Sequence, residues 1–292
     1  MNENDIQPLV AIPIILFIAT CLALAGSQGG VIVLGGIPLF AFGVAIAFII
    51  QGIAFIPAYI KSTEKFFDLT GSLTYITVII LSVVLSPEID IRSILLMVLV
   101  LIWAIRLGTF LFRRILKEGE DKRFKEIKQS GPRFLLTWTL QGLWVSFTLA
   151  AALAAITVEQ RVEFGMIGLI GLMIWILGFG FEAFADYQKS KFRSIPENKG
   201  KFINTGLWSI SRHPNYFGEI LIWVGIAIIA LPTLQGWRWM TLISPVFVTL
   251  LLTKVSGIPL LEKHADEKWG GQDDYEEYKK NTPVLIPNPF KK

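Results

Sequence analysis

The sequence is poor in the residues that carry most metal and thiol chemistry: in 292 residues there is one cysteine, Cys21, and there are two histidines. A lone cysteine rules out an internal disulfide, and three potential Cys/His ligands are too few for a zinc site of that type. Charge is scarce as well, with Asp, Glu, Lys and Arg together at 17% and a net charge of +4. The Lys and Arg residues are spread over several loops beside apolar runs, which fits membrane orientation rather than a nucleic-acid-binding face. There is no Walker loop, no G-x-G-x-x-G following a strand and no G-x-S-x-G, so the common phosphate-cradle and nucleophile-elbow chemistries lack their parts.

What is abundant is apolar surface. The AVILMFWYC set makes up 53% and the mean hydropathy is +0.58. Adding Gly and removing Tyr brings the apolar share to about 60%, where soluble domains sit near 45–50%. A bilayer core needs roughly 20 apolar residues per helix, and eight segments qualify: about 8–26, 31–60, 67–86, 91–112, 134–156, 164–186, 216–233 and 239–261. The second is too long for one straight span, and Gly35, Gly36, Pro38, Gly52 and Pro57 allow a tilt or a break. The expected fold class is all-α, a polytopic transmembrane bundle of seven or eight spans. Residues 1–60 are expected to be N-terminal transmembrane helices and 61–292 a catalytic transmembrane domain.

Sidedness follows from Lys and Arg. The Arg113–Arg133 loop, the Lys189–Arg212 connection, the Lys61–Lys65 turn and the tail after Glu262 are rich in them and are expected in the cytoplasm. The turns at Ser86–Asp90, Thr157–Glu163 and Leu231–Arg238 are poor in them and alternate onto the other side. Arg106, Arg113, Arg114, Asp121 and Arg123 supply phosphate-binding types of side chain, but the positive-inside bias accounts for most such arginines.

The chemistry is expected where the membrane should have excluded polar groups. Glu182 and Asp186 lie four apart near the end of the sixth segment, and Lys189 and Arg193 continue the same helix face. Intramembrane carboxylates are costly and by default mark a functional site, the alternative being an interfacial ion-pair ladder. Asn204–Glu219 then runs from a basic loop straight into the seventh segment. Arg212 and His213 offer donors suited to phosphate, Pro214 suits a first helical turn, and the free N–H groups of that turn favour anions. Asn215, Tyr216 and Glu219 follow on the first turns. The alternative is that Arg212 and His213 snorkel to lipid headgroups. In the tail, Tyr275 and Tyr278 either cover an adenine or simply pack.

Leu207–Glu219, with its Arg-His-Pro-Asn-Tyr core, resembles the steroid 5-alpha-reductase-like family of membrane oxidoreductases, especially its uncharacterised bacterial branch. The resemblance extends over roughly residues 60–290, taking in Trp103–Arg123, the Glu182–Arg193 face, Ser256–Glu262 and Tyr275–Pro287. Sterol reductases and isoprenylcysteine-type methyltransferases share the core. The resemblance implies a helical bundle with NADPH entering from the cytoplasm and a hydrophobic lipid substrate entering from the bilayer. It places Asp186, Arg193, Asn215, Glu219 and, more weakly, Tyr278 at cofactor-contacting positions; Arg212 and His213 join them on the phosphate argument. One departure stands out: the family's early Gln-Glu pair is here Gln51 followed by Gly52. Asp68 and Tyr75 are the substitutes for the missing acid, Asp68 with a helix-capping role as its alternative. The expected activity is hydride transfer from NADPH to an activated carbon-carbon double bond of a lipid; the alternatives are an S-adenosylmethionine-dependent methyltransferase and a non-catalytic lipid-binding protein.

Overall fold

The computed structural model describes residues 3–121 and 124–290 and is almost wholly helical. Its helices are α1 (Glu3–Gly26), α2 (Leu39–Ile60), α3 (Phe67–Val84), α4 (Ile91–Glu118), α5 (Phe124–Ile127), α6 (Gly131–Ile156), α7 (Met166–Ser194), α8 (Pro214–Ala230), α9 (Ile243–Leu250), α10 (Ile258–Trp269) and α11 (Asp273–Asn281). Among the described residues, eight helical stretches are long and apolar enough to cross a membrane. Their outer surfaces are apolar: Phe17, Ile60 and Met173 are each more than 65% exposed, as side chains facing lipid tails should be.

Helix ends shift by several residues, α4 running to Glu118 and α7 to Ser194, and two segments differ in kind from the sequence expectation. Residues 31–38 are not the start of a span but a short antiparallel hairpin, β1 (Ile32–Val33) with β2 (Ile37–Pro38). Leu34, Gly35 and Gly36 all take positive φ at its tip, so an apolar but Gly-rich run turns back on itself. The last span is composite, running from Gly236 to Trp269 through a 3₁₀ segment, α9, a π-helical turn at Leu251–Val255 and α10.

The chain divides into two compact units, Met1–Gly168 with Ile229–Ser244, and Leu169–Ile228 with Pro245–Lys292. These units do not follow the division at residue 60; that division, which concerns where a catalytic domain begins, is a proposal. In the first unit α6 is central, touching α1, α2, α3 and α4. Its Leu149–Ile156 stretch is fully buried and Ala-rich, which lets neighbouring backbones come close. The last carbonyls of α6 have no helical partner, and arginines satisfy them. Arg161 donates to the Ala155 and Ile156 carbonyls, and Arg238 to those of Ala154 and Thr157. Arg92, fully buried, donates to the Val162, Glu163 and Ile229 carbonyls at the same end of the unit.

At the other end of α2, the Lys61–Phe66 turn is held by Glu64. Its carboxylate accepts from the Lys128 ammonium at 2.8 Å and from the Asp121 backbone N–H at 3.1 Å. Below it Phe124, Phe134, Trp138 and Ala58 form a buried cluster.

Candidate functional site

In the second unit α7 and α8 meet through glycine. A Cβ on Gly218 would lie 2.5 Å from both the Gly178 carbonyl oxygen and the Glu182 backbone nitrogen, and one on Gly225 would lie 2.7 Å from the Gly171 carbonyl oxygen. The glycines are seven apart on each helix, so the close seam repeats every two turns. This backbone approach brings the polar end of α7 against the first turns of α8. Glu182 and Asp186 are both buried, and the Asn215 amide donates to Asp186 Oδ1 at 3.2 Å across the seam. Glu219 lies one turn further along α8 and is half-buried. Arg193 is exposed, two turns beyond Asp186 on the last turn of α7. Lys189 sits between them with its ammonium 4.4 Å from the centre of the Trp208 ring.

The chain leading into α8 is fixed by backbone bonds to the closing segment. The Arg212 N–H donates to the Pro283 carbonyl, the Asn288 N–H to the Ile210 carbonyl, and the Ser211 hydroxyl to the Leu285 carbonyl. Ser211 Oγ in turn accepts the His213 N–H. Tyr278 braces this chain through its hydroxyl, which donates to the Trp208 carbonyl at 2.7 Å, and the Trp208 indole donates to the Ala185 carbonyl. Burial pushes the Tyr278 phenol up, so it remains a donor at neutral pH.

Arg212 and His213 share one partner that sequence reasoning gave no role. Glu262, on α10, places Oε2 at 2.7 Å from an Arg212 guanidinium nitrogen and Oε1 at 2.8 Å from His213 Nε2. The turn preceding α10 makes this reach possible. The Ser256 N–H bonds to the Leu251 carbonyl in π fashion, and at Gly257 a Cβ would lie 2.4 Å from the Leu252 carbonyl oxygen and 2.9 Å from the Tyr216 ring. The extra residue in the turn re-aims α10. The His213 ring lies nearly parallel to Tyr216, centroids 5.7 Å apart. Burial lowers the His213 imidazole from its ordinary value, and the Glu262 carboxylate opposes this without reversing it. The signal for Glu262 was present as the end of Ser256–Glu262, but nothing local named its partners.

The two acid candidates belong to the first unit, on one face of α3 two turns apart. Asp68 lies in the first helical turn, behind an N-cap position occupied by Phe66, and its carboxylate is 3.7 Å from the Arg114 guanidinium of α4. Tyr75 is buried with its ring edge-on to Trp103, centroids 5.0 Å apart. Beside it, Gln51 donates to the Thr74 hydroxyl at 2.8 Å. Gly52 is exposed, with open space where a side chain would begin, so Gln51 alone of that pair is turned into the protein. Arg123 lies outside the described residues. Among the described residues, no group of three or more His, Cys, Asp or Glu is placed to hold a metal ion.

Comparison with known proteins gives the same direction. Delta(14)-sterol reductase ERG24 of Saccharomyces cerevisiae is 30% identical over 192 residues, 61% of this chain and 41% of that protein. The 3-oxo-5-alpha-steroid 4-dehydrogenase 1 of Rattus norvegicus is 27% identical over 120 residues, 41% of this chain and 40% of that protein. The chain thus spans about two fifths of the length of these curated relatives. No solved structure matches. The model of a protein family of unknown function, DUF1295, matches residues 54–282, which takes in the glycine seam, the Arg212–His213–Glu262 clasp and both acid candidates; the chain belongs to this family of steroid 5-alpha-reductase-like proteins.

Proposed function

We propose that the protein is an integral membrane reductase that uses NADPH to reduce an activated carbon-carbon double bond of a hydrophobic lipid. The observation that carries this reading is the assembly, within one compact unit, of Asp186 bonded to Asn215 beside the Arg212–His213–Glu262 clasp. The names of the two relatives, a sterol reductase and a steroid dehydrogenase, support redox chemistry on a lipid.

The residues suit a dinucleotide. His213 Nδ1 is buried without a hydrogen-bond partner among the described residues, an atom that a ligand would satisfy. When bound, NADPH supplies the hydride. Arg193, exposed at the end of α7, is the cation best free to reach phosphate, because Arg212 is already held by Glu262. Asp186, Asn215 and Glu219 offer acceptors and an amide for ribose hydroxyls and the carboxamide, while Tyr278 holds the Trp208 loop in place. Asp68 and Tyr75 are the proposed acids, delivering the proton that completes reduction at the carbon that hydride does not reach. The cofactor side is proposed to face the cytoplasm and the substrate to enter from the bilayer.

A titration of detergent-purified protein with NADPH tests this, with NADH and S-adenosylmethionine as comparators and thermal stability as readout. Saturable stabilisation by NADPH is expected. Glu219→Ala should weaken it about tenfold or more, the loss expected for a hydrogen bond to a charged group, and Asn215→Ala by roughly threefold to tenfold, the loss of a neutral one. Unchanged affinity in both variants would remove the assigned site. Stabilisation by S-adenosylmethionine instead would move the same residues into a methyltransferase, and stabilisation by none of the three would favour a non-catalytic lipid-binding protein.

A further inference from the structure

We propose that Glu262 is a positioning residue: it holds His213 in the tautomer protonated on Nε2, so that Nδ1 is left as an acceptor for an N–H or O–H donor of the bound dinucleotide. This rests on the NADPH reading above and specifies how that site would work.

The argument runs through hydrogen-bond inventory. An ionised carboxylate can only accept, and Glu262, at 2.7 Å from the Arg212 guanidinium, is placed to be ionised. Its Oε1 lies 2.8 Å from His213 Nε2, so that nitrogen must carry the hydrogen. A neutral imidazole has one N–H, and its other nitrogen then presents a lone pair. That nitrogen, Nδ1, is buried and has no partner among the described residues. Nor can the ring turn to relieve it. A half-turn would keep the stack on Tyr216 but would carry Nε2 away from Glu262, so the Glu262 bond holds the ring in this orientation, on a backbone tied through Ser211 to the Leu285 carbonyl. A dinucleotide carries the complementary groups in its ribose hydroxyls and carboxamide amine, whereas its phosphates carry only acceptors.

The consequence is a sign. The charged groups that act on the imidazole are Glu262 from α10, Arg212 from its own loop and Lys189 from α7, with the Tyr216 ring from α8 stacked on it. Protonation converts Nδ1 from acceptor to donor, so dinucleotide binding must weaken as pH falls through the imidazole titration. A His213 that bound phosphate as a cation would do the opposite.

The test is a binding titration of the full chain in detergent with NADP+, which survives acid, between pH 5 and 8. The wild type is compared with His213→Gln and Glu262→Gln. Titration of the ligand's own phosphate is common to all three and cancels in their ratio. In the wild type, Kd relative to His213→Gln should rise toward about tenfold per pH unit below the imidazole midpoint, the slope of a single linked proton. In Glu262→Gln binding should be weaker at neutral pH and the midpoint more acidic. A wild-type to His213→Gln ratio that stays constant, or that moves toward tighter wild-type binding in acid, overturns the proposal while leaving the cofactor site standing. No NADP+ binding at any pH overturns both. Should His213→Gln fail to fold, the imidazole nitrogens can be read directly. His264, exposed on α10, is the other histidine, so ¹⁵N-histidine labelling in a His264→Gln background isolates His213. A proton on Nε2 supports the assignment; a neutral ring protonated on Nδ1 overturns it.

Discussion

Glu64 shows at the residue scale how a single carboxylate can fasten a turn. Its side chain is 2% exposed and holds both the Lys128 ammonium and the Asp121 N–H. Burial on its own would raise the carboxyl, but the Lys128 and Asp121 donors outweigh it, and the group is held below its ordinary value of 4.5. A depressed carboxyl contributes stability that is complete above the unfolded value and is lost as pH falls through the folded one. Thermal melts of the wild type should therefore fall off below about pH 4.5, whereas Glu64→Gln should give a flatter profile. At neutral pH that variant should be less stable by about 1–3 kcal/mol, because Lys128 loses its counter-charge and glutamine replaces one of the two accepting oxygens with a donor amide. Equal slopes for the two proteins would show that the clasp contributes nothing. At the same scale the sequence could be read only in part. Asp186 and Asn215 stand on motif positions and were legible from them. Glu262 was not, because its partners lie 49 and 50 residues away, and a contact of that range leaves no local period to read.

The glycine seam belongs to the scale of elements. Gly178, Gly218 and Gly225 were visible only as members of a Gly-rich chain; the structure separates those that face backbone from those that face open space. Gly218→Ala would push a methyl against the Gly178 carbonyl oxygen and the Glu182 backbone nitrogen, atoms that cannot move without shifting a helix. The variant should lose about 1–3 kcal/mol of stability in a detergent melt, and with it the Asp186–Asn215 register. Gly180→Ala is the control: nothing lies within 4 Å of its Cβ position, so the exposed turn should tolerate it or gain slightly from the better helix former. If both variants melt alike, the seam is not what sets the spacing of α7 and α8. Span positions were mostly legible from apolar runs, but span ends were not. The 31–60 run begins with a hairpin because glycine at positive φ stops a helix regardless of hydropathy, and α7 runs on to Ser194 because a helix leaving the membrane has no reason to end with its apolar residues.

At the scale of the whole molecule the arginines bear on orientation in the membrane. The positive-inside rule counts cations in the loops that flank spans. Arg92, Arg161 and Arg238 fall on the side expected to be poor in such residues, and at first sight they weaken the assignment. Their guanidinium groups, however, are largely buried and committed to backbone carbonyls at the end of the first unit. They act there as helix-end partners and are satisfied locally. The loop cations that remain gather in the Lys61–Lys65, Arg113–Arg133 and Lys189–Arg212 connections. Eight crossings would return the chain to the side on which it began, so the expected orientation puts both termini with those loops. Cys21 is the chain's one native thiol, so Cys21→Ser gives a background for single cysteines at the exposed positions Glu159 and Lys199. In intact bacterial cells a membrane-impermeant maleimide should label Glu159→Cys and leave Lys199→Cys unlabelled until the membrane is opened. The reverse pattern would put the Asp186–Asn215 bond and the Glu262 clasp on the side that has no supply of NADPH, and the reductase reading would fall with the orientation.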